Sequence, residues 1–465
     1  MEPRPLHYIA QAVAGELRHG PPGATVSRVC TDSRRAGPED LFFALAGARF
    51  DAHRFLPEVA RRGVGAIVAE RDKLPADFCQ CAVIAVGSTR RALGQLGARY
   101  RRDFDLPVIA VGGSNGKTTT KELIASVLRE QRAVLWSEAS FNNEIGVPLT
   151  LLRLERNHQA AVLEAGSNHP GELAPLVQMI APSHGVVTNI GREHLQFFGD
   201  LAGVAREEGT MAEGLSASGT LFINGDDGWS ESILPRTSAR VIRAGLKEGN
   251  DYQAVDIRSD DRGSVFWVRC RQARLEGRYR IQLLGRHQVA NALFALAVGA
   301  ELELDRAPIE RGLAACAPCQ MRLQLWQAGG VRVLDDAYNA NADSMLAALE
   351  TLRALPGRGR RIAVLGDMAE LGESSAPAHA EVGRRAAELG LDQLFAVGTR
   401  AAEMAASARR AGLRNVVEFL DVEDAAQAVN DFARPGDAVL VKASRAMRLE
   451  RITETLRKIR TKNEE

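Results

Sequence analysis

One short segment constrains the fold more than any other part of the chain. Residues 108–120 read Val-Ile-Ala-Val-Gly-Gly-Ser-Asn-Gly-Lys-Thr-Thr-Thr, and the helical stretch Lys121 to Glu130 follows. A buried-strand pattern therefore leads through a glycine-rich turn into a helix, which is the context of a phosphate-binding loop. The strict pattern G-x-x-x-x-G-K-[ST] is met except at its first position, where Val111 stands. An ordinary glycine-rich turn is the alternative, and the strand and helix on either side argue against it.

The residue types of this turn suit a nucleoside triphosphate. Gly113 and Gly116 let backbone amides approach phosphate oxygens, and the helix N-terminus adds partial positive charge. In such a loop Lys117 would contact the β- and γ-phosphates, and the Thr118 hydroxyl would coordinate Mg²⁺. We therefore predict an ATP or GTP site. Its predicted loop contacts are Gly113, Ser114, Asn115, Gly116, Lys117, Thr118 and Thr119.

Two further strand ends predict a metal site beside this loop. The apolar run 160–163 ends in Glu164, and the run 185–189 leads to His194. Because ligands collect at the carboxyl ends of strands in a doubly wound sheet, we expect Glu164 and His194 to converge near the loop. A carboxylate and an imidazole can complete the shell of a divalent cation that bridges phosphates. The alternative is that Glu164 caps a loop and His194 is a surface histidine.

Length and the pattern of apolar runs predict an α/β protein of three domains. The 465 residues are too many for one ordinary core. Residues 1–105 predict a small α/β unit, the N-terminal module. Residues 106–318, the middle domain, predict a doubly wound parallel sheet that binds ATP, with a β-rich annex at about 241–283. Residues 319–465, the C-terminal domain, predict a smaller Rossmann-like α/β domain.

Composition and charge argue against several classes of protein. The net charge of +1 gives no global attraction for nucleic acid or an anionic membrane. No stretch is long enough to span a membrane, and the N-terminus lacks the apolar core of a signal peptide. The six cysteines form neither a zinc pattern nor a disulfide framework. We expect a cytoplasmic monomer with reduced thiols, no nucleic-acid partner and no membrane insertion.

Short motifs occur in all three predicted domains. They are Thr31 to Arg34, Asp40 to Leu45, Gly113 to Thr119, Phe141 to Pro148, Thr188 to Gly191, Gly285 to His287, Asn291-Ala292, Asp335 to Asn341, Leu365 to Gly372 and Val441 to Arg445. In sequence and in their order along nearly the whole chain, these motifs resemble those of the Mur ligase family. The segments Asp335 to Asn341 and Gly366 to Gly372 are most similar to the members that add D-alanyl-D-alanine. The Asp-Asn-Pro-Arg motif of the diaminopimelate-adding members is absent from the sequence.

The resemblance implies an activity and roles for domains and for individual residues. The N-terminal module would bind the UDP-linked precursor, and the C-terminal domain would be the ligase domain. The activity is ATP- and Mg²⁺-dependent joining of D-alanyl-D-alanine to UDP-N-acetylmuramoyl-tripeptide through an acyl phosphate, which forms the pentapeptide precursor of peptidoglycan. The implied catalytic residues are Lys117, Glu164 and His194, and the implied metal ligands are Thr118, Glu164 and His194. Asn291 is implied near adenine, Arg322 near the phosphates, Asp336 near the ribose, and Thr31, Ser33 and Asn143 near the uridine nucleotide. Lys442, Ser444 and Tyr338 are weaker candidates for the dipeptide site, and packing roles are equally open for them.

One position departs from the family pattern. Family members carry a carbamylated lysine in the helix after the histidine loop, and this chain has Glu208 there. Because Glu208 supplies a carboxylate on a shorter stem, our hypothesis is that it replaces the carbamate as ligand of a second metal ion, directly or through water. Four other functions stay open: a related Mur or folylpolyglutamate-type ligase with another acceptor, a P-loop switch, a kinase, and a catalytically weak paralogue that binds the precursor.

Overall fold

The computed structural model describes residues 1–47 and 50–461 of the chain. The parts of the predicted N-terminal and C-terminal domains at positions 48–49 and 462–465 lie outside the described residues. The predicted α/β class and the doubly wound middle sheet with its β annex are confirmed, whereas the exact domain limits stay predictions. Short 3₁₀ turns lie at Ala52–Phe55, Arg71–Lys73, Leu234–Arg236, Ala273–Leu275, Gly372–Ser374 and Arg445–Met447.

The N-terminal module is a mostly parallel sheet flanked by helices. Its strands are β1 (Arg4–Pro5), β2 (Glu16–His19), β3 (Thr25–Val26), β4 (Arg28–Cys30), β5 (Asp40–Phe43), β6 (Ala66–Glu70) and β7 (Val83–Val86), and its helices are α1 (Leu6–Ala12), α2 (Leu56–Arg61) and α3 (Thr89–Arg101). The order β2-β7-β6-β5-β4 is parallel except for β2, and β1 pairs separately with β3.

The middle domain places the phosphate loop at the centre of its sheet. Its strands are β8 (Val108–Gly112), β9 (Val134–Trp136), β10 (Ala160–Glu164), β11 (His184–Val187), β12 (Thr220–Asn224), β13 (Arg240–Gly245), β14 (Tyr252–Asp260), β15 (Gly263–Cys270) and β16 (Gly277–Ile281). Its helices are α4 (Lys117–Leu128), α5 (Gly146–Leu151), α6 (Leu173–Ile180), α7 (Leu195–Phe198), α8 (Leu201–Glu208), α9 (Thr210–Glu213), α10 (Gly228–Glu231), α11 (Arg286–Glu301) and α12 (Arg306–Ala315). The order is β16-β15-β14-β13-β12-β11-β8-β10-β9, in which β15 and β16 add antiparallel pairs to a parallel sheet. Because β10 and β11 flank β8, the loops after these three strands meet at one edge of the sheet.

The C-terminal domain is a second parallel sheet with one antiparallel edge strand. Its strands are β17 (Gln324–Ala328), β18 (Val331–Asp335), β19 (Arg361–Gly366), β20 (Gln393–Val397), β21 (Val416–Phe419) and β22 (Ala438–Lys442), in the order β17-β18-β22-β19-β20-β21. Its helices are α13 (Ala342–Ala354), α14 (Ser375–Glu388), α15 (Ala401–Arg410), α16 (Val422–Phe432) and α17 (Glu450–Thr461). Apolar side chains are buried on both faces of this sheet, which explains the nearly continuous apolar runs of its strands.

The N-terminal module and the middle domain share one apolar core. A single cluster of buried side chains runs from Leu6 on α1 through α3 to β8 and α6 of the middle domain. At the end of α3 the Tyr100 hydroxyl donates to the Leu154 carbonyl at 2.7 Å, and the Arg101 guanidinium donates to the Ile180 carbonyl at 3.1 Å. These two domains therefore pack as one body. No helix among the described residues is long and apolar enough to cross a bilayer.

Candidate nucleotide-binding and catalytic site

The phosphate loop leaves β8 and enters α4 earlier than the sequence predicts. We expected the helix from Lys121, but it begins at Lys117, so this boundary was wrong by one turn. The Thr-rich run after Lys117 weakens the helical signal because β-branched residues have low helix propensity. In the structure the helix opens with Lys117, Thr118 and Thr119, whose backbone amides have no acceptor within the helix. They are therefore free to bind phosphate oxygens.

Two glycines of the loop cannot be replaced without strain. Gly113 has φ +107°, and a Cβ there would lie 2.3 Å from the Thr188 Oγ1 atom. Gly116 has φ +87°, and a Cβ there would lie 2.6 Å from Asn291 Oδ1. Both residues thus combine a left-handed backbone with no room for a side chain. The loop can adopt this shape only with glycine at the two positions.

The Lys117 ammonium lies within the loop among carboxylates. Its Nζ atom donates to the Gly113 carbonyl at 2.5 Å and lies 3.4 Å from Glu193 Oε2. Burial acts to lower the pKa of Lys117, but the carboxylates of Glu193, Glu208 and Glu164 outweigh it and raise that pKa. Burial also raises the pKa of Glu193, against the opposing charge of Lys117. The lysine is therefore held charged where a phosphate would meet it.

Glu193 was missed by the sequence analysis. It lies beside His194 in the charged run that follows β11, so the signal was a second ionisable residue at a strand end already singled out. Its partner Lys117 is 76 positions earlier in the chain. No local pattern predicts a pair of that separation, because only the sheet topology brings β8 and β11 side by side.

Glu164 carries an oxygen that suits a cation. Its side chain is 1% exposed, and Oε1 accepts a hydrogen bond from Asn142 Nδ2 at 2.9 Å. The other oxygen, Oε2, is buried without a hydrogen-bond partner. A buried carboxylate oxygen left without a donor is costly unless a cation or proton satisfies it. Glu164 therefore fits the role of a cation ligand.

The described residues hold no preassembled cluster of three or more His, Cys, Asp or Glu side chains that could enclose a metal ion. Mg²⁺ needs no such cluster, because it usually has few protein ligands and completes its shell with water and substrate phosphates. Thr118 and Glu164 both face the same cavity, so their oxygens are available for such an ion.

His194 lies at the cavity with a strained backbone and a partner from the C-terminal domain. Its φ of +49° is left-handed, which is uncommon for a residue other than glycine and often marks a functional site. The His194 Nδ1 atom lies 2.5 Å from Glu370 Oε2. The predicted metal ligand is thus oriented by a carboxylate, an arrangement typical of metal-binding histidines.

Glu208 lies behind the phosphate loop and not in the cavity wall. Its Oε2 atom accepts a hydrogen bond from the Gly113 backbone amide at 2.6 Å, and its side chain is almost completely buried. Burial raises the pKa of Glu208 to about 7; the charge of Lys117 opposes this shift and that of Glu193 adds to it. The predicted role as a metal ligand stays a prediction.

Polar contacts hold the C-terminal domain against the mouth of the middle sheet. The Arg192 guanidinium, next to Glu193, donates to Asp343 at 2.6 Å and to Glu381 at 2.5 Å. The Asn341 side chain donates to Asn115 Oδ1 in the phosphate loop at 2.9 Å. The two domains are therefore closed on each other across the site.

Ser140 joins the two domains at the same place. Its hydroxyl oxygen accepts hydrogen bonds from Arg322 Nη2 at 3.2 Å and from the Tyr338 hydroxyl at 3.1 Å. It also lies 3.4 Å from Thr118 Oγ1. Because Arg322 stacks over the Tyr338 ring, with 4.0 Å from Cζ to the ring centroid, the residue predicted near the phosphates is fixed beside the loop. Ser140 was not among the predicted site residues.

A cavity of about 1070 Å³ lies between these elements. Its volume lies just above the range of about 300–1,000 Å³ found for small-molecule sites. Predicted residues that line it are Ser114, Asn115, Gly116, Lys117, Thr118, Thr119, Asn143, Glu164, His194, Asn291, Arg322, Asp336, Tyr338, Lys442 and Ser444. The wall continues along α6 toward the N-terminal module, where Met179 contacts α3. Thr31 and Ser33 follow β4 in the N-terminal module, outside this wall.

The chain matches two families of protein domains. The Mur ligase middle domain matches residues 111–299, and the Mur ligase, glutamate ligase domain matches residues 321–445. A curated relative, UDP-N-acetylmuramoyl-tripeptide--D-alanyl-D-alanine ligase of Bacillus subtilis, is 36% identical over 97% of this chain and 98% of the relative. The protein of the same name from Escherichia coli is 37% identical over 84% of this chain and 85% of the relative.

Solved structures agree with these matches. MurF from Acinetobacter baumannii superimposes with a TM-score of 0.90 at 32% identity, covering 98% of this chain and 99% of that one. The MurF ligase from Thermotoga maritima in complex with ADP superimposes with a TM-score of 0.83 at 28% identity, covering 94% of this chain and 99% of that one. The similarity therefore extends over all three domains.

Proposed function

The chain belongs to the Mur ligase family, and from that premise we propose that it joins D-alanyl-D-alanine to UDP-N-acetylmuramoyl-tripeptide. It is an ATP-dependent peptide ligase of peptidoglycan synthesis, and its product is the pentapeptide precursor. The observation that carries this function is the single cavity shared by the phosphate loop, the strand ends of the C-terminal domain and the face of α6 near the N-terminal module. ATP and two further substrates can meet there.

We assign the ATP phosphates to residues 113–119 and to Arg322, the adenine to Asn291 and the ribose to Asp336. The free amides of the first turn of α4 and the charged Lys117 support the phosphate assignment. The Asn291 side chain lies against Gly116 and is fixed by a 2.8 Å hydrogen bond to Gln288, so it forms a rigid wall next to the loop. Burial and the ion pair with Lys442 at 2.6 Å fix the Asp336 carboxylate in the same cavity.

Mg²⁺ is the cation that we propose for Thr118, Glu164 and His194. Support comes from the unpartnered Glu164 oxygen and from the carboxylate-oriented imidazole of His194. When bound, Mg²⁺ neutralises charge that develops on the transferring phosphoryl group. The protein's own contribution is to hold these oxygen and nitrogen atoms at the edge of the sheet next to Lys117.

The chemistry proceeds in two displacements. An oxygen of the terminal carboxylate of the tripeptide bonds to the γ-phosphorus as the bond from that phosphorus to ADP breaks, which yields an acyl phosphate. The amine nitrogen of D-alanyl-D-alanine then attacks the acyl carbon and loses a proton, and inorganic phosphate leaves. Lys117 and the loop amides stabilise negative charge on the phosphoryl oxygens. The closed C-terminal domain keeps out water that would hydrolyse the acyl phosphate.

The other two substrates are assigned to opposite sides of the cavity. We assign the uridine nucleotide to Thr31, Ser33 and Asn143, because Asn143 lines the wall that faces the N-terminal module. We assign the dipeptide to the C-terminal side, with Lys442 and Ser444 as candidates at the end of β22. Since both ATP and nucleotide-linked precursors are cytoplasmic metabolites, we further propose that the protein acts in the cytoplasm, as a monomer.

Product analysis tests this function. The purified protein is incubated with ATP, MgCl₂, UDP-N-acetylmuramoyl-tripeptide and D-alanyl-D-alanine, and the product mass is measured. We expect the pentapeptide, with one ADP and one phosphate per product, and no product when any one component is omitted. Reactions with a single amino acid or with glutamate in place of the dipeptide test the related ligases. A product from one of these reactions, together with no product from the dipeptide, would reject the proposal. The oligomeric state is tested separately by gel filtration, in which we expect a monomer.

A further inference from the structure

We propose that Glu208 is a positioning residue that supports the phosphate loop from behind, and that it is not a ligand of a second metal ion. The proposal rests on the proposed function only in treating this loop as the ATP site. Glu208 is the last residue of α8, and its carboxylate accepts the Gly113 amide at 2.6 Å. Without this acceptor, the buried amide would lack a hydrogen-bond partner.

The carboxylate fits against the start of the loop with no spare room. A Cβ at Gly112 would lie 2.9 Å from Glu208 Oε2, so this glycine lets the carboxylate approach the backbone. On the other side of the same peptide, a Cβ at Gly113 would meet Thr188, the residue that follows β11. The loop is thus held between α8 and the end of β11, and both contacts lie away from the cavity.

The end of α8 is itself fixed, which a supporting residue requires. The Arg236 guanidinium donates to the Arg206 carbonyl at 2.7 Å, near the C-terminus of the helix. The neighbouring Glu207 accepts the Gly171 amide at 2.8 Å and the Leu173 amide at 2.7 Å, at the start of α6. Two consecutive glutamates therefore hold two different segments of the site wall from one helix end.

Gly113 transmits the support to Lys117. Its amide is bonded to Glu208, and its carbonyl accepts the Lys117 ammonium at 2.5 Å. Without the carboxylate, the Gly113 backbone would no longer be held in place, and its carbonyl would no longer orient the Lys117 ammonium. Glu164, in contrast, has an unpartnered oxygen in the cavity wall, which makes it the carboxylate with an oxygen available to a cation.

Two variants of Glu208 distinguish a role in supporting the phosphate loop from a role in metal binding. Glu208→Gln keeps the length and one acceptor oxygen but removes the charge, whereas Glu208→Asp keeps the charge but is one carbon too short to reach Gly113. ADP affinity is measured by calorimetry in EDTA and again across a series of Mg²⁺ concentrations. Glu164→Gln is the comparison variant for cation binding, and thermal melting checks that each variant is folded.

We expect Glu208→Asp to weaken ADP binding in EDTA by about tenfold, and Glu208→Gln to stay within about twofold of the wild type. The Mg²⁺ concentration that half-maximally enhances ADP affinity should rise only in Glu164→Gln. Metal-free affinity that is unchanged in Glu208→Asp, or a raised Mg²⁺ midpoint in Glu208→Gln, would overturn the proposal. If Glu208→Asp does not fold, Glu208→Gln alone decides. These measurements need no acceptor substrate, so a failed ligation assay would reject the proposed function separately.

Discussion

Replacement of Arg192 by alanine should open the gap between the middle and C-terminal domains. The guanidinium reaches two carboxylates of the C-terminal domain, Asp343 at 2.6 Å and Glu381 at 2.5 Å. The Asp343 carboxylate also accepts the backbone amide of Arg192 at 2.7 Å, and this bond survives the substitution. The variant therefore removes only the side-chain contribution to domain closure.

The size of the effect follows from the exposure of the three side chains. Hydrogen bonds to charged groups contribute about 1.5–3 kcal/mol when they are well shielded. Arg192 is 29% exposed, and Asp343 and Glu381 are 38% and 30% exposed, so solvent screening reduces this figure. We therefore expect Arg192→Ala to destabilise the closed state relative to the open state by about 1–2 kcal/mol. This loss lowers the ratio of closed to open molecules by about 5- to 30-fold.

Small-angle scattering and steady-state kinetics measure the change. With ADP bound, Arg192→Ala should have a larger radius of gyration than the wild type, and its kcat should fall by up to the same factor of about 5–30. Salt should open the wild type more than the variant, because screening acts on the ion pairs that the variant lacks. ADP affinity should fall by no more than the same factor, because Arg322 and Asp336, which we assign to the nucleotide, lie on the C-terminal domain that opens.

A second variant controls for the loss of surface charge. Arg384 lies on α14, the helix that carries Glu381, and pairs with Glu388 of the same helix at 2.6 Å. Arg384→Ala should leave the scattering and kcat unchanged. If Arg192→Ala kept both the wild-type radius of gyration and the wild-type kcat, these ion pairs would not hold the domains together and the reasoning would be refuted.

Three further predictions concern the loop and the C-terminal core. Gly116→Ala should weaken ADP binding by at least tenfold, because its Cβ would lie 2.6 Å from Asn291 Oδ1 in a left-handed backbone that costs about 1–2 kcal/mol; calorimetry measures the loss. Lys117→Ala should lower the ligation rate by about 10²–10³, as measured by product formation, because it removes the cation at the phosphates. Burial lowers the pKa of His379, whose Nε2 accepts the Met368 amide, so the folded state favours the neutral ring. Its contribution to stability is present above a pH of about 6.5 and is lost as the pH falls through the lowered folded pKa, which thermal melting between about pH 7 and 5 should reveal.

A matched variant serves as the control for each of these three predictions. Gly249 has φ +94° with open space around its Cβ position, so Gly249→Ala carries the backbone strain without the clash and should bind ADP normally. Lys247→Ala removes an exposed lysine of the annex and should ligate at the wild-type rate. His379→Gln should flatten the pH dependence of melting. Unchanged ADP binding in Gly116→Ala, wild-type ligation in Lys117→Ala, or an unchanged slope in His379→Gln would contradict the corresponding argument.

The fold was predictable where a fully buried element appears as a continuous apolar run in the sequence. The apolar run 160–163, which ends in Glu164, has the observed bounds of β10, since this strand is covered on two faces. Helix starts were less predictable. The start of α4 was predicted four residues late, at Lys121, because helix propensity does not show that Lys117 to Thr120 form the first turn above Gly116.

The site was predictable to the extent that its residues follow strand ends. Glu164 and His194 both reach one cavity because β10 and β11 flank β8. The contact of Arg192 with Asp343 was not predictable, because 151 positions separate the two residues and only domain closure brings them together. The hydrogen bond of Glu208 to the loop was missed for a similar reason, since it depends on where α8 packs.

The continuous apolar core between the N-terminal module and the middle domain decides which parts of the enzyme can evolve separately. A replacement for the first hundred residues would have to reproduce the α3 surface from which Tyr100 and Arg101 contact the middle domain. Without these contacts, the middle domain would lose part of the packing that supports the loops around the phosphate site. The C-terminal domain meets the site through polar side chains that can exchange partners with water. Recombination between relatives should therefore succeed near residue 320 and fail near residue 105.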